Sequence, residues 1–151
     1  MRLAFVVLIG CSGTNAQPAA PPEPVGKPIV DAAANAQREA LAAQLAEGKR
    51  LFGEQCASCH GDTALGTDDA PALVGKDVFP RYPRDGSKRT AEFHTAADVF
   101  AFAVKNMPAN EPGTLTTEQY LAVFAYVLKA DGVVLLRPLP ETALPSIVLH
   151  P

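Results

Sequence analysis

Residues 56–60 read Cys56-Ala57-Ser58-Cys59-His60, and this stretch decides the fold. Its spacing, C-x-x-C-H, is the attachment signature of a c-type haem. Two residues between the cysteines let both thiols reach neighbouring vinyl groups of a porphyrin, and the histidine that follows then lies at the iron. The sequence therefore predicts one covalently attached haem c, bonded to Cys56 and Cys59, with His60 as the proximal ligand.

Two other uses of a C-x-x-C pair fit this sequence less well. A zinc site needs a second pair of ligands, but the only other cysteine is Cys11. A thioredoxin-like redox pair belongs to a βαβ unit and follows a strand. The residues before Cys56 instead have the composition of a helix, so haem attachment is the favoured interpretation.

Length and charge exclude several classes of function. A chain of 151 residues has room for one domain with a hydrophobic core. The formal net charge is −3 and there is no long basic run, which disfavours binding to nucleic acid. Hydrolytic chemistry has little support, because no Ser/His/Asp or paired-carboxylate signature is recognisable.

The N-terminal residues have the pattern of an export signal. Arg2 precedes an apolar run over residues 3–9, well below the ~20 residues that span a membrane. Leu8-Ile9-Gly10-Cys11 resembles a lipobox, which predicts a signal peptide over 1–10 and lipidation of Cys11. Cleavage after Ala16 is the alternative. Either way we expect a protein on the periplasmic side of a bacterial membrane, lipid-anchored or soluble.

Composition divides the rest of the chain into three regions. Residues 11–30 are a Pro/Ala-rich linker, 31–133 a folded domain, and 134–151 an apolar, proline-rich tail that we expect to pack on the domain. Between His60 and Thr95 no strand alternation persists, so this segment is predicted as loop with at most one short helix. The fold class is therefore predicted as all-α, with three to five helices around the haem.

Capping residues and apolar spacing place these helices. The first is predicted over 31–55; Thr95 with Asp98 opens the second, and Pro108 ends it at or just before Met107. Thr116 and Gln119 form a capping box that opens the last helix. The positions predicted to be buried are Leu41, Leu45, Gly48, Leu51, Phe52, Val99, Phe102, Ala103, Tyr120, Val123, Phe124, Val127 and Leu128.

The second axial ligand of the iron has several candidates: Met107, His94, His150, or none. Met107 is favoured because it lies between two helices beside Pro108 and is the only methionine besides the initiator. His94 precedes a helix and would fit equally well at the surface near a haem propionate, and His150 lies beside the end of the tail. A thioether raises the reduction potential relative to bis-histidine ligation. With both axial positions filled, the sequence predicts an electron carrier and not a catalyst.

From about Leu45 to Gly132 the chain resembles the class I (mono-haem) cytochromes c. Four segments carry the resemblance in the family's order: GKRLFGEQCASCHG, DAPALVG, NMPAN and YLAVFAYVLKADG. The resemblance implies a cytochrome c fold with Met107 as the distal ligand. It also implies that the Pro71 carbonyl receives the proximal imidazole N–H, and that Leu73 packs on the haem face. Gly48 and Phe52 would then cross the last helix, with Tyr126 as the aromatic partner.

A narrower resemblance concerns the partner. The segment MPANEPGTLTTEQYLAVFAYVLKADG is similar to haem domains that serve periplasmic quinoprotein dehydrogenases, although Asp131 stands where Asn is common. Small cytochromes of sulfur-oxidation systems share much of the pattern. The implied function is a single-electron carrier from a periplasmic dehydrogenase to a respiratory acceptor. A haem enzyme or gas- or peroxide-binding protein with an open sixth position is one alternative, and a fixed subunit of a dehydrogenase complex is another.

A basic cluster lies in the loop at residues 81–89. Arg81 or Arg84 would neutralise a haem propionate or steer an acidic partner, or the cluster is a solvated loop balanced by nearby carboxylates. Its basic residues are Arg81, Arg84, Lys88 and Arg89, and the carboxylates are Asp77, Asp85 and Glu92.

Overall fold

A computed structural model describes residues 32–76, 78–87 and 89–150. The expected signal peptide at 1–10, Cys11 and the linker at 11–30 lie outside these ranges. The described residues form α1 (Ala32–Gln55), α2 (Ala57–His60), α3 (Ala96–Asn106), α4 (Thr117–Ala130) and a 3-10 helix (Glu141–Ser146). Within the same ranges β-pairing is confined to one isolated bridge between Thr95 and Val148. The all-α prediction is confirmed.

Helices α1 and α4 form the most extensive helix–helix contact among the described elements. They meet at Gly48, which is buried and where an added Cβ would lie 1.9 Å from the Ala122 carbonyl oxygen. One turn further along α1, the Phe52 ring packs on Tyr126 with its centroid 5.6 Å away. A residue without a side chain therefore allows the two backbones to touch at the crossing predicted from the sequence.

The two predicted helix caps are present. One Asp98 carboxylate oxygen accepts hydrogen bonds from the backbone N–H groups of His94 (2.9 Å) and Thr95 (2.8 Å) at the start of α3. At the start of α4, Thr116 N–H donates to Gln119 Oε1 at 2.8 Å, and Gln119 N–H donates to Thr116 Oγ1 at 3.3 Å. These bonds satisfy backbone donors that no helical carbonyl can reach.

The buried face of α3 differs from the predicted one. Phe100 is buried together with Val99, whereas Phe102 and Ala103 are only partly buried. The reason is tertiary: the Phe100 ring packs edge-on against both Tyr120 and Phe124 of α4. Helix α3 therefore presents a wider apolar face than its own periodicity indicates.

Residues 133–150 pack along α1 and α3. The Gln44 side chain on α1 pairs with the backbone of Leu139, accepting from its N–H at 2.8 Å and donating to its carbonyl at 3.1 Å. Further on, the 3-10 helix lies against α3, and Ala96 N–H donates to the Ile147 carbonyl at 2.9 Å. Because Leu139 and Leu144 are both buried, this segment contributes to the same core as the helices.

Candidate haem-attachment site

The short helix α2 places the three residues of the C-x-x-C-H motif on one turn of backbone. Helix α1 ends at Gln55, and the Cys56 carbonyl then accepts hydrogen bonds from Cys59 N–H (3.1 Å) and His60 N–H (2.9 Å). Cys56 is partly buried, Cys59 is exposed, and both thiols are free. Two unpaired thiols are therefore presented by the same turn as the imidazole.

The His60 ring is fixed by a backbone carbonyl. His60 is 8% exposed, and its Nδ1 lies 2.8 Å from the Pro71 carbonyl oxygen. A carbonyl can only accept, so Nδ1 carries the proton and donates it. In the neutral imidazole the other ring nitrogen, Nε2, is then the one that can bind a metal. Such a bond also orients the ring and strengthens it as a donor.

The loop after His60 turns back so that Pro71 can reach the ring. Gly66 N–H donates to the His60 carbonyl at 2.9 Å. Gly66 has φ +83°, and a Cβ there would lie 2.6 Å from Ala72 N. Further along, the N–H groups of Leu73 (2.8 Å) and Val74 (3.2 Å) both donate to the Ala64 carbonyl. The structure thus brings Pro71 to His60 and holds Leu73, which is partly buried against the core, in the same loop.

Met107 directly follows α3. Its N–H donates to the Ala103 carbonyl at 2.8 Å, its backbone is extended, and the residue is partly buried. The Tyr120 hydroxyl of α4 donates to the Met107 carbonyl at 2.5 Å, and Gly113 N–H donates to the same hydroxyl oxygen at 3.2 Å. The backbone that carries the thioether is therefore held by both α3 and α4.

The two other candidate axial ligands already have protein partners. His94 Nε2 lies 3.1 Å from Glu92 Oε2, and its side chain is 47% exposed. His150 Nε2 lies 2.7 Å from the Phe79 carbonyl oxygen. These contacts favour Met107 over either histidine as the sixth ligand.

The donor set fits a haem iron. Two free thiols, an imidazole with an available Nε2 and a thioether on a separate loop are the groups that c-type haem attachment and ligation use. Burial, and to a smaller degree the neighbouring Cys59, raises the pKa of the Cys56 thiol to about 11. In the part of the chain that the structure describes, no three His, Cys, Asp or Glu side chains converge as a zinc site would require.

A buried arginine, Arg89, holds the basic loop at residues 81–89 together. From the sequence alone it was placed in a cluster of basic residues with no sign that it is buried. Arg89 is 7% exposed and lies over the Phe93 ring, with Cζ 3.8 Å from the centroid. Arg81 instead pairs with Glu92 at 3.0 Å, and Arg84 is exposed. The Arg89 guanidinium donates to four backbone carbonyls, those of Pro80, Arg81, Tyr82 and Ala91.

Arg89 and Tyr120 therefore have roles that the sequence reasoning missed. Arg89 stabilises its own loop, and it is not free to steer a partner. The sequence identified Tyr120 only as part of a buried helical face. One property of Tyr120 could have indicated its role: a buried tyrosine hydroxyl needs a hydrogen-bond partner.

Comparisons with known proteins match the part of the chain that contains the C-x-x-C-H motif. The family model described as cytochrome C oxidase, cbb3-type, subunit III matches residues 43–127. A thiosulfate dehydrogenase from Stutzerimonas stutzeri (strain A1501) is 33% identical over 88 residues, which is 55% of this chain and 26% of that protein. The cbb3-type cytochrome c oxidase subunit CcoP from Rubrivivax gelatinosus is 33% identical over 88 residues, covering 58% of this chain and 26% of that protein.

A solved structure shares the fold. The sulfane dehydrogenase SoxCD from Paracoccus pantotrophus matches with a TM-score of 0.54 and 31% identity, over 70% of this chain and 52% of that one. The chain spans about a quarter of the length of the two curated relatives, 26% in each case. The matched family region, 43–127, is more than half of the 151 residues and runs from α1 through the C-x-x-C-H motif into α4. The chain therefore belongs to the cbb3-type subunit III family of cytochrome c domains, and its cofactor is one covalently attached haem c.

Proposed function

We propose that this protein is a single-electron carrier that receives electrons from a periplasmic dehydrogenase and passes them to a respiratory acceptor. The observation that carries the proposal is the hydrogen bond from His60 Nδ1 to the Pro71 carbonyl, beside two free thiols. It leaves Nε2 as an oriented ligand. Family membership supports electron transfer as the general activity.

Each residue of the site has a distinct task in this proposal. Cys56 and Cys59 form the thioether bonds, His60 is the proximal ligand, and Met107 is the distal ligand. The bound haem c supplies a one-electron iron couple. Pro71 orients His60, and Leu73 supplies apolar surface to the haem face.

The names of the similar proteins support the choice of partner. Two are dehydrogenases, of thiosulfate and of sulfane substrates, and the third is an oxidase subunit. A dehydrogenase as donor and a respiratory oxidase as acceptor would give a shuttle between these two classes. Both sulfur-compound dehydrogenases and quinoprotein dehydrogenases are therefore donors to test.

The proposed location is the periplasmic side of a bacterial membrane. It rests on the export signal predicted at residues 1–10 and on the extracytoplasmic attachment of haem c. Lipidation of Cys11 would anchor the domain, and cleavage after Ala16 would release it. Among the described residues, no helix is both long enough and apolar enough to cross a membrane.

The ligand set is tested by optical spectroscopy of the haem-loaded protein. We expect the oxidised wild type to show the far-red sulfur-to-iron absorption band. Met107→Ala should lose it, because that variant lacks the thioether. His94→Ala is the matched control and should keep the band. A wild type without the band, or a Met107→Ala variant that retains it, would contradict the assignment.

Carbon monoxide separates the carrier from the competing class of haem enzyme or gas-binding protein. With both axial positions filled, the reduced wild type should bind carbon monoxide only slowly, and Met107→Ala should bind it readily. Fast binding by the wild type would favour an open sixth position and overturn the carrier function.

A fixed subunit of a dehydrogenase complex is the second candidate. It is favoured by the match to only about a quarter of each curated relative, 26% in both, since the domain there belongs to a longer protein. Stoichiometric co-purification with a large dehydrogenase subunit at high salt would support this candidate. A free monomer that exchanges electrons with the donor in a salt-dependent manner would support the shuttle.

A further inference from the structure

We propose that Tyr120 is the positioning residue of the Met107 ligand: its hydroxyl holds both ends of the loop at residues 107–113 together. The inference rests on the proposed ligation by Met107 and extends it to a residue that would not touch the iron.

A single hydroxyl oxygen joins the two ends of this loop. It donates to the Met107 carbonyl at 2.5 Å and accepts from Gly113 N–H at 3.2 Å. Within the loop, Glu111 N–H donates to the Pro108 carbonyl at 3.0 Å. The Thr114 hydroxyl also donates to the Glu111 carbonyl at 3.0 Å. Neither of these local bonds connects Met107 with Gly113, whereas the Tyr120 hydroxyl bonds to both.

The phenol itself is rigidly mounted. Tyr120 is 6% exposed and lies in the first turn of α4, where its N–H donates to the Thr116 carbonyl at 2.9 Å. Its ring meets Phe100 of α3 edge-on, at a centroid distance of 6.5 Å and an interplanar angle of 85°. Because the ring is packed between α3 and α4, its hydroxyl holds the Met107 carbonyl at a fixed position relative to both helices.

Loss of the Tyr120 hydroxyl should increase the fraction of molecules in which the Met107 thioether is detached, while the thioether itself remains in the protein. In Tyr120→Phe, the Met107 carbonyl and the Gly113 N–H both lose this shared partner, so the closed loop becomes less stable relative to an open one. Net hydrogen bonds of this kind change such an opening equilibrium by about tenfold. Carbon monoxide reaches the reduced iron only while the thioether is detached, so its binding rate reports the open fraction.

The chain offers a matched control on the same helix. Tyr126 is also an α4 tyrosine, its ring packs on Phe52, and its hydroxyl makes no hydrogen bond within residues 32–76, 78–87 and 89–150. Tyr126→Phe therefore makes the same chemical change without releasing the Met107 loop. A second control, Leu144→Ala, lowers global stability through the 3-10 helix, which packs against α3 and, in the part of the chain that the structure describes, makes no hydrogen bond to the Met107 loop.

The experiment compares carbon monoxide binding to the reduced, haem-loaded wild type, Tyr120→Phe, Tyr126→Phe and Leu144→Ala. We expect the rate to rise about tenfold in Tyr120→Phe only, with the far-red band still present in its oxidised form. Equal rates in the two tyrosine variants would overturn the inference. So would an increase in Leu144→Ala that matches its loss of stability, because opening would then follow global unfolding.

The inference and the proposed function fail in different ways. Retention of the far-red band by Met107→Ala would refute ligation by Met107 itself. Loss of the band in Met107→Ala, together with an unaltered rate in Tyr120→Phe, would leave the ligand in place and refute only the positioning role.

Discussion

Gly48 shows how one residue sets the distance between two helices. An added Cβ would lie 1.9 Å from the Ala122 oxygen and 2.5 Å from its carbonyl carbon, both in the backbone of α4. Backbone atoms cannot move aside as a flexible side chain can, so α1 and α4 would have to separate. The contact between Phe52 and Tyr126, one turn away on each helix, depends on the same spacing.

A glycine-to-alanine pair on α1 tests this contact. Gly48→Ala should lower the free energy of unfolding by about 1–3 kcal/mol because it overpacks the crossing. Gly53→Ala is the matched control: it lies in the same helix with no atom within 4 Å of an added Cβ. Helix propensity alone should make it more stable by about 1 kcal/mol. Denaturant unfolding measures the free energy of unfolding of both variants. Changes of the same sign would contradict the close approach of α1 to α4 at Gly48.

At the scale of an element, α3 connects the site to the rest of the molecule. Its first turn is capped by Asp98, which also accepts from the Thr95 hydroxyl at 3.1 Å. Its last turn leads directly into Met107. Hydrogen bonds from the backbone of Thr95 and then of His94 are the main causes that hold the pKa of the Asp98 carboxyl below its usual value of 3.8.

The Asp98 cap predicts a pH-dependent stability. A carboxyl whose pKa is lower in the folded state stabilises that state above its unfolded pKa, and this contribution is lost as the pH falls through the folded pKa. Asp98→Ala should therefore cost about 1 kcal/mol at neutral pH. The difference from wild type should shrink below about pH 4, where the carboxyl becomes protonated in the unfolded chain.

Glu118 supplies the control for this prediction. It lies in the first turn of α4, as Asp98 does in α3, but the cap of α4 is formed by Thr116 and Gln119. Glu118→Ala should change stability by less than about 0.5 kcal/mol. Chemical denaturation across the pH range distinguishes the two, and a pH-independent cost of Asp98→Ala would contradict the role of its charge.

At the scale of the whole molecule, the C-terminal segment completes the core. Leu144 is 1% exposed and belongs to the same apolar cluster as Phe52 and Phe100. Gln44 secures the segment through both backbone groups of Leu139, and His150 reaches the Phe79 carbonyl at its far end. Helices and tail should therefore unfold together.

Two leucines of this segment test that prediction. Leu144→Ala should lower the free energy of unfolding by about 2–5 kcal/mol, since it opens a cavity in a buried cluster. Leu136→Ala is the matched control, because Leu136 is 79% exposed, and its effect should stay within ~0.5 kcal/mol. Loss of the tail's contacts in a separate transition before the helices melt would show that the segment is peripheral.

The features predicted from the sequence are those that depend on near neighbours. The C-x-x-C-H motif, the capping residues Asp98 and Gln119, and the helix end before Pro108 all act within a few residues of chain. Helix positions, the all-α class and the haem c cofactor follow from them. The family resemblance implied the bond from His60 to Pro71, but its length could not be predicted, because it depends on how the intervening loop turns back.

The sequence by itself determined the positions of the three long helices α1, α3 and α4 and which cofactor the chain carries, because caps and attachment motifs are local chemistry. Only the tertiary structure decided how Arg89, Phe100, Tyr120 and the C-terminal segment are used. A basic residue in a loop, a phenylalanine beside a predicted stripe and a tyrosine on an apolar face each have several possible surroundings. Contacts between distant parts of the chain, such as Gln44 with Leu139 or Tyr120 with Met107, select among them, and such contacts exist only once the helices have packed.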